Sequence, residues 1–318
     1  MRPKLLTYKA TKPNLWQGRK DSLPGERFFQ QVNLLDLNNE NLKPTQQGTV
    51  FVGFCSDEGI RRNEGRTGAK LGPHHLREQL AKLASHSGKQ YTDVGNIISD
   101  ENLEFAQDEF AQLINHCHRL GYKTLAFGGG HEMAWGHFCG LSQLYPKLGI
   151  INFDSHFDLR PGINNLSTSG TPFRQIADYC LMHNRPFNYC CLGIQLSSNT
   201  ESIFDKANKL QVSYLSAEQI NQTNFVQQAA FLDNFMTQYD SLYLSICLDV
   251  FAEAYAPGVS APQALGLTPW QVLPLLKYIL QTGKVVSLDV AELSPLLDEE
   301  QKTARLAASL LAELLDYF

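Results

Sequence analysis

No stretch of the 318-residue sequence approaches about 18 consecutive apolar residues, the length of an apolar helix that crosses a bilayer. The opening MRPKLLTYKATKPNLWQGRK also lacks an apolar core of signal-peptide length, so a cytoplasmic protein is expected. No CxxC pair occurs among the seven cysteines (55, 117, 139, 180, 190, 191, 247), and an odd count in such a chain gives no reason to expect a disulfide framework. Neither charge sign dominates: 27 Lys+Arg against 32 Asp+Glu leave a net charge of −5, a field that does not favour nucleic acid or an anionic membrane. Low-complexity tracts are absent too, and with 43% hydrophobic and 19% charged residues the composition excludes disorder and fibre. No Pro/Gly/Ser-rich linker divides the chain, so one domain over 1–318 is expected, with residues 1–45 as an N-terminal arm lying over its surface.

What is present is a repeat of two periodicities. Eight β-branched or aromatic runs, 49–54, 89–97, 122–128, 147–153, 187–194, 211–216, 241–250 and 284–290, read as strands. Helical spacing of apolar residues fills 72–85, 101–120, 132–145, 173–183, 198–210, 223–239, 268–282 and 303–317. The order is βα repeated eight times. Several strands are continuously apolar, which fits burial on both faces of a mainly parallel sheet covered by helices. A doubly wound α/β/α domain is expected; a (β/α)8 barrel is the alternative that counting leaves open.

In either architecture ligands sit beyond the carboxyl ends of strands, and the polar chemistry of this sequence falls there. Gly128-Gly129-Gly130-His131-Glu132 follows the third strand, Asp154-Ser155-His156-Phe157-Asp158 the fourth, Cys247-Leu248-Asp249 ends the seventh, and Asp289-Val290-Ala291-Glu292 the eighth. In an extended segment Asp154, His156 and Asp158 share one face, and two close carboxylates repel unless a divalent cation, or a pair of them, lies between. Cys247 shares a face with Asp249 by the same period of two. Taken singly, each motif has a plainer reading: a polar turn, a glycine-rich corner, a buried apolar thiol. Glu132 is expected to be an acid of a helix first turn, favoured by the helix dipole. Ala256-Pro257-Gly258-Val259-Ser260-Ala261-Pro262 reads as a rigid pocket wall. The remaining histidines, 74, 75, 86, 116, 118, 137 and 183, have no acid partner in view.

Together, GGGH (128–131), DSHFD (154–158), SICLD…APG (245–258) and DVAE (289–292) resemble the arginase/agmatinase (ureohydrolase) family of binuclear manganese hydrolases. The resemblance implies an open three-layer α/β/α fold with an eight-stranded, mainly parallel sheet, two Mn2+ ions and a homo-oligomer. Softer signals in LWQGRKD (15–21), RRNEGRTGA (61–69), HFDLR (156–160), SGTPFR (169–174) and APGVSAP (256–262) resemble the branch of the family that hydrolyses N-formimidoyl-L-glutamate to L-glutamate and formamide.

Carried over by position, His131, Asp154 and Asp158 are implied ligands of the first ion and Asp154, His156 and Asp249 of the second. Cys247 stands where the family has a second bridging aspartate; a thiolate bridges through one sulfur only, and manganese prefers oxygen. The implied chemistry is attack on the amidine carbon by a hydroxide held between the ions, with Asp158 protonating the leaving amine and Glu292 accepting hydrogen bonds from the nitrogen end of the substrate. Ser169 stands where some members carry a proton-handling histidine. A dicarboxylate substrate needs further donors, for which Arg160, Arg174 and the amides of Asn164 and Asn165 are candidates. An agmatinase or guanidinobutyrase activity, or a metal-depleted binding protein, are the alternatives.

Overall fold

In the computed structural model, which describes residues 3–99, 102–162, 164 and 166–318, each of the eight expected runs contains a strand. The strands are β1 (Tyr8–Lys9), β2 (Val32–Leu34), β3 (Gly48–Cys55), β4 (Tyr91–Ile98), β5 (Tyr122–Phe127), β6 (Leu148–Phe153), β7 (Tyr189–Ile194), β8 (Ser213–Ser216), β9 (Ser241–Cys247) and β10 (Val285–Ala291). The helices are α1 (Glu58–Arg62), α2 (Gly72–Ala81), α3 (Leu103–Arg119), α4 (Met133–Ser142), α5 (Pro172–Met182), α6 (Glu201–Lys209), α7 (Ala217–Gln222), α8 (Phe225–Met236), α9 (Pro269–Gln281) and α10 (Lys302–Leu314). The ten strands form one open sheet in the order β1-β4-β3-β5-β10-β9-β6-β7-β8, with β2 also paired to β4. Every pairing is parallel except that of β1.

The barrel is thus excluded, and the strand count exceeds the expected eight by the two short strands of the arm. That arm does more than lie over the surface: Tyr8, Leu15, Trp16 and Phe28 are buried. It is held by Asp93 of β4, whose carboxylate accepts Thr11 Oγ1 at 2.9 Å and Trp16 Nε1 at 2.7 Å. Arg77 of α2 closes the same carboxylate bidentately at 2.6 and 3.0 Å, and both charges are fully buried. Their mutual neutralisation and saturated hydrogen bonds are what allow two ions to sit in the core. Trp16, in the LWQGRKD segment, is therefore a structural anchor.

Alternation along the strands splits the core into two layers. Phe51, Leu125, Ile151 and Leu244 pack with residues of α2, α7, α8, α9 and α10. Val52, Ala126, Ile150 and Tyr243 face the other way, onto α3, α4, α5 and α6. Local sequence sets the start of α9: Thr268 caps it ahead of Pro269, accepting Gln271 N while Gln271 reaches back.

The connection that positions the site runs from β5 through α4 to β6. Spatially β10 and β9 lie between those two strands. The chain leaves β5, skips two places and returns later to fill them, which opens a crevice at the carboxyl ends of four adjacent parallel strands. They are the four strands that carry the acidic and histidine motifs.

Candidate metal centre

Strand β6 stops at Phe153, and the chain then curls instead of remaining extended. Asp154 Oδ1 accepts the N–H of His156 at 2.7 Å, and Asp158 adopts a left-handed φ of 50°. The DxHxD residues therefore converge by a turn, not through the alternation of a strand. Likewise β9 ends at Cys247, and Asp249 sits in a single 3-10 turn, Leu248–Val250, beyond it.

His131, delivered by the glycine corner after β5, has Nδ1 3.0 Å from Asp154 Oδ2 and 2.9 Å from Asp158 Oδ2. His156 Nδ1 lies 3.0 Å from Asp249 Oδ2 and 3.5 Å from Asp154 Oδ1. Two donor groups result, His131/Asp154/Cys247 and Asp154/His156/Asp249, with the ligand atoms of each within 4.8 Å of one another and Asp154 common to both. Asp158 joins the first group through His131.

Among the described residues no Lys or Arg forms an ion pair with Asp154, Asp158, Asp249 or Glu292. Without an ion, burial and the charge of Asp154 push the Asp158 carboxyl up to about 6. Burial, with a further push from Asp249, raises Glu292 to about 7. Asp154 is also buried, yet His131 and His156 hold it below the usual carboxylate range. Burial, then the surrounding carboxylates, lift the Cys247 thiol well above its ordinary value.

One atom tests whether this set fits a cation. His131 Nδ1 is buried and has no hydrogen-bond partner, although two carboxylate oxygens stand within 3.0 Å of it. A nitrogen lone pair and two carboxylates aimed at one region form the donor arrangement of a hard divalent ion. The donor set fits manganese, with the Cys247 sulfur as its one soft member.

Asp158, Asp249, Glu292, Cys247 and both histidines line a cavity of about 200 Å3 together with Asn63, Gly65, Ser169, Ser260 and Ala261, while Asp154 lies buried behind them. Arg160 is exposed at its edge and is the only cationic side chain among the described lining residues. Arg174 is not brought there: its Nε donates to both oxygens of Asp178, at 3.0 and 2.8 Å, beside a neighbouring cavity. Asn164 is exposed and outside the cavity lining, while Asn165 lies outside the described residues. Glu292 is steered from both sides, its Oε1 accepting His131 N–H at 2.9 Å and its Oε2 accepting Ser260 Oγ at 2.6 Å. Ser260 had been legible only as part of a wall, because nothing local links it to an acid 32 residues away. Arg62 and Arg66 of the RRNEGRTGA segment clamp the rim: Arg62 binds Glu58, Glu104 and Ser167 O, and Arg66 donates to Val259 O and Ser260 O.

Two expectations are corrected here. Glu132 does precede α4, but it is fully buried, and its Oε1 accepts Ser56 Oγ of the β3–α1 loop at 3.1 Å and Gly59 N of the first turn of α1 at 3.0 Å. It makes no hydrogen bond that caps α4 and instead ties the start of α1 to the His131 corner. His137 does have an acid partner, Asp289, with Nδ1 2.6 Å from Oδ2.

A family model described as the arginase family matches residues 47–316. The chain belongs to the arginase family. The formimidoylglutamase of Legionella pneumophila (strain Lens) is 59% identical over 314 residues, 98% of each chain. That of Clostridium tetani (strain Massachusetts / E88) is 42% identical over 325 residues, 98% of this chain and 96% of the relative. Among solved structures, Trypanosoma cruzi formiminoglutamase crystallised with Mn2+ superposes with a TM-score of 0.78 at 25% identity, covering 86% of this chain and 93% of that one.

The buried Glu132 generates a prediction for this arginase-family chain. Burial first, and the charge of Glu292 second, raise its carboxyl from 4.5 to about 8. The folded state then holds the proton more tightly than the unfolded chain, so stability from this group is complete below pH 4.5 and is lost as pH climbs to about 8. In the ion-free protein, Glu132→Gln should flatten the fall in urea midpoint between those limits. Parallel pH profiles for parent and variant would contradict the assignment.

Proposed function

We propose that this chain is a manganese-dependent hydrolase that cleaves N-formimidoyl-L-glutamate to L-glutamate and formamide. The observation that carries the reading is the pair of donor groups that share the buried Asp154, next to a cavity whose one cationic wall residue among the described residues is Arg160. His131, Asp154 and Asp158 would hold the first ion, with Cys247 in the same group, and Asp154, His156 and Asp249 the second. When bound, such an ion pair supplies Lewis acidity and lowers the pKa of a shared water toward neutrality.

The chain's own residues do the rest. Net hydrolysis adds water across the formimidoyl carbon and breaks its bond to the glutamate nitrogen, so one proton must reach that nitrogen as it leaves. Asp158, at the cavity wall, is the proton carrier for that step. Glu292 has both oxygens oriented by His131 N–H and Ser260 and accepts a hydrogen bond from the amidine nitrogen. Arg160 takes a substrate carboxylate through its planar fork. A cationic arm at this position disfavours substrates with a positively charged tail, which weighs against an agmatinase. The relatives named formimidoylglutamase at 59% and 42% identity support the same choice. A homo-oligomer acting in the cytoplasm belongs to this reading as well.

Manganese-loaded protein should release formamide from N-formimidoyl-L-glutamate, and no release would sink the reading. Arg160→Lys should raise KM roughly tenfold with little change in kcat, the loss expected for one charge-assisted hydrogen bond. Kinetics matching the parent would remove Arg160 from the carboxylate subsite.

Cys247 separates an adapted site from a decaying one. Cys247→Asp should retain more manganese through dialysis than the parent, because it offers an oxygen donor at the same place, and Cys247→Ala should retain less. An Asp variant that melts early and binds no additional manganese would show instead that the thiol is only packing.

A further inference from the structure

Beneath the metal-facing side chains lies a hydrogen-bonded chain that the hydrolysis does not use. His131 Nε2 is 2.9 Å from Ser245 Oγ, and Ser245 Oγ donates to Asp289 Oδ1 at 2.6 Å. The other oxygen of Asp289 faces His137 Nδ1 at 2.6 Å and also accepts the Tyr243 hydroxyl. From His137 the chain runs on through Ser287, Thr124 and His118 to the half-buried Tyr145. Ser245, Asp289, His137, Ser287 and Thr124 are all fully buried.

The near arm determines where one proton sits. A serine hydroxyl has a single proton, and that of Ser245 is given to the Asp289 carboxylate. Its oxygen can therefore only accept from His131, which places a proton on Nε2. A neutral imidazole with Nε2–H has its lone pair on Nδ1, the atom that faces Asp154 and Asp158 without a hydrogen-bond partner. Reversing Ser245 would leave Asp289 Oδ1 buried without a donor, a penalty that His137 and Tyr243 cannot relieve because both engage Oδ2.

We infer that Asp289, held by His137 and Tyr243 and acting through Ser245, is a positioning residue that keeps the proton of His131 on Nε2 and so presents Nδ1 to the first ion. The inference rests on the reading of this cavity as a manganese site. It gives His137 and Asp289 a role in metal affinity although neither reaches the cavity. In Asp289→Asn the side-chain amide can donate to Ser245, which then turns its own proton toward His131 Nε2 and displaces the one there.

The test combines histidine 15N–1H spectra with manganese titration followed by the free-ion paramagnetic signal. The parent should show a proton on His131 Nε2 both ion-free and zinc-loaded. Asp289→Asn and Ser245→Ala should weaken the first manganese by roughly 10–100-fold, while Thr124→Val, which cuts the chain beyond His137, should stay within about twofold of the parent. Ser245→Ala keeps the test alive if Asp289→Asn does not fold, and thermal melts of all three report folding. A parent lacking the Nε2 proton would overturn the inference. So would parent-like affinity in both near variants, or an equal loss in Thr124→Val, which would mark a general packing effect. A parent that binds no manganese would instead overturn the hydrolase reading, with the Nε2 proton still deciding the inference.

Discussion

Negative charge is confined where little water reaches it, and the rest of the site follows from that constraint. Asp154, Asp158, Asp249 and Glu292 crowd the carboxyl ends of β6, β9 and β10 with no Lys or Arg paired to any of them among the described residues. Proton uptake is one way to relieve the repulsion, and it shows in Asp158 and Glu292, both lifted toward neutrality chiefly by burial. Divalent cations are the other. Asp93 is the instructive contrast, since the same fold buries that carboxylate against Arg77 and gives it a purely structural task. Where a permanent cation is built in, the acid is an anchor; where it is left out, the acid waits for a ligand.

Topology makes the crowding possible. Because β10 and β9 are inserted between β5 and β6, motifs far apart in sequence end side by side on one edge of the sheet. The walls are then set by clamps outside the sheet. Arg62 and Arg66 tie the α1 region to neighbouring loops, and Glu132 holds the β3–α1 turn against the glycine corner that carries His131. Arg160 stands exposed at the rim.

Much of this was legible in the sequence, for physical reasons that can be named. Strands β6, β9 and β10 are buried over nearly their whole length, so their apolar runs are nearly unbroken, and ligand residues stand out at their ends. Two- and three-residue strands such as Tyr8–Lys9 and Val32–Leu34 are too short to show a period, and the arm therefore read as surface. Asp154, His156 and Asp158 were identified by spacing, though the extended geometry assumed for them is a turn. Contacts between distant segments left no local trace: His137 and Asp289 are 152 positions apart, and a histidine inside an apolar helix looks unpartnered until the sheet brings β10 beneath it. Arg160 and Arg174 were both candidates as sequence, and Asp178, one helical turn beyond Arg174, is what takes Arg174 out of the site.

These acids are arranged to hold two ions through a shared Asp154. Anomalous diffraction at the manganese edge from manganese-soaked crystals tests this arrangement most directly. Two peaks about 3.5–4 Å apart are expected, one beside His131 and Asp158, the other beside His156 and Asp249, with Asp154 between them. A single peak elsewhere in the molecule, or none at this edge of the sheet under saturating manganese, would contradict it.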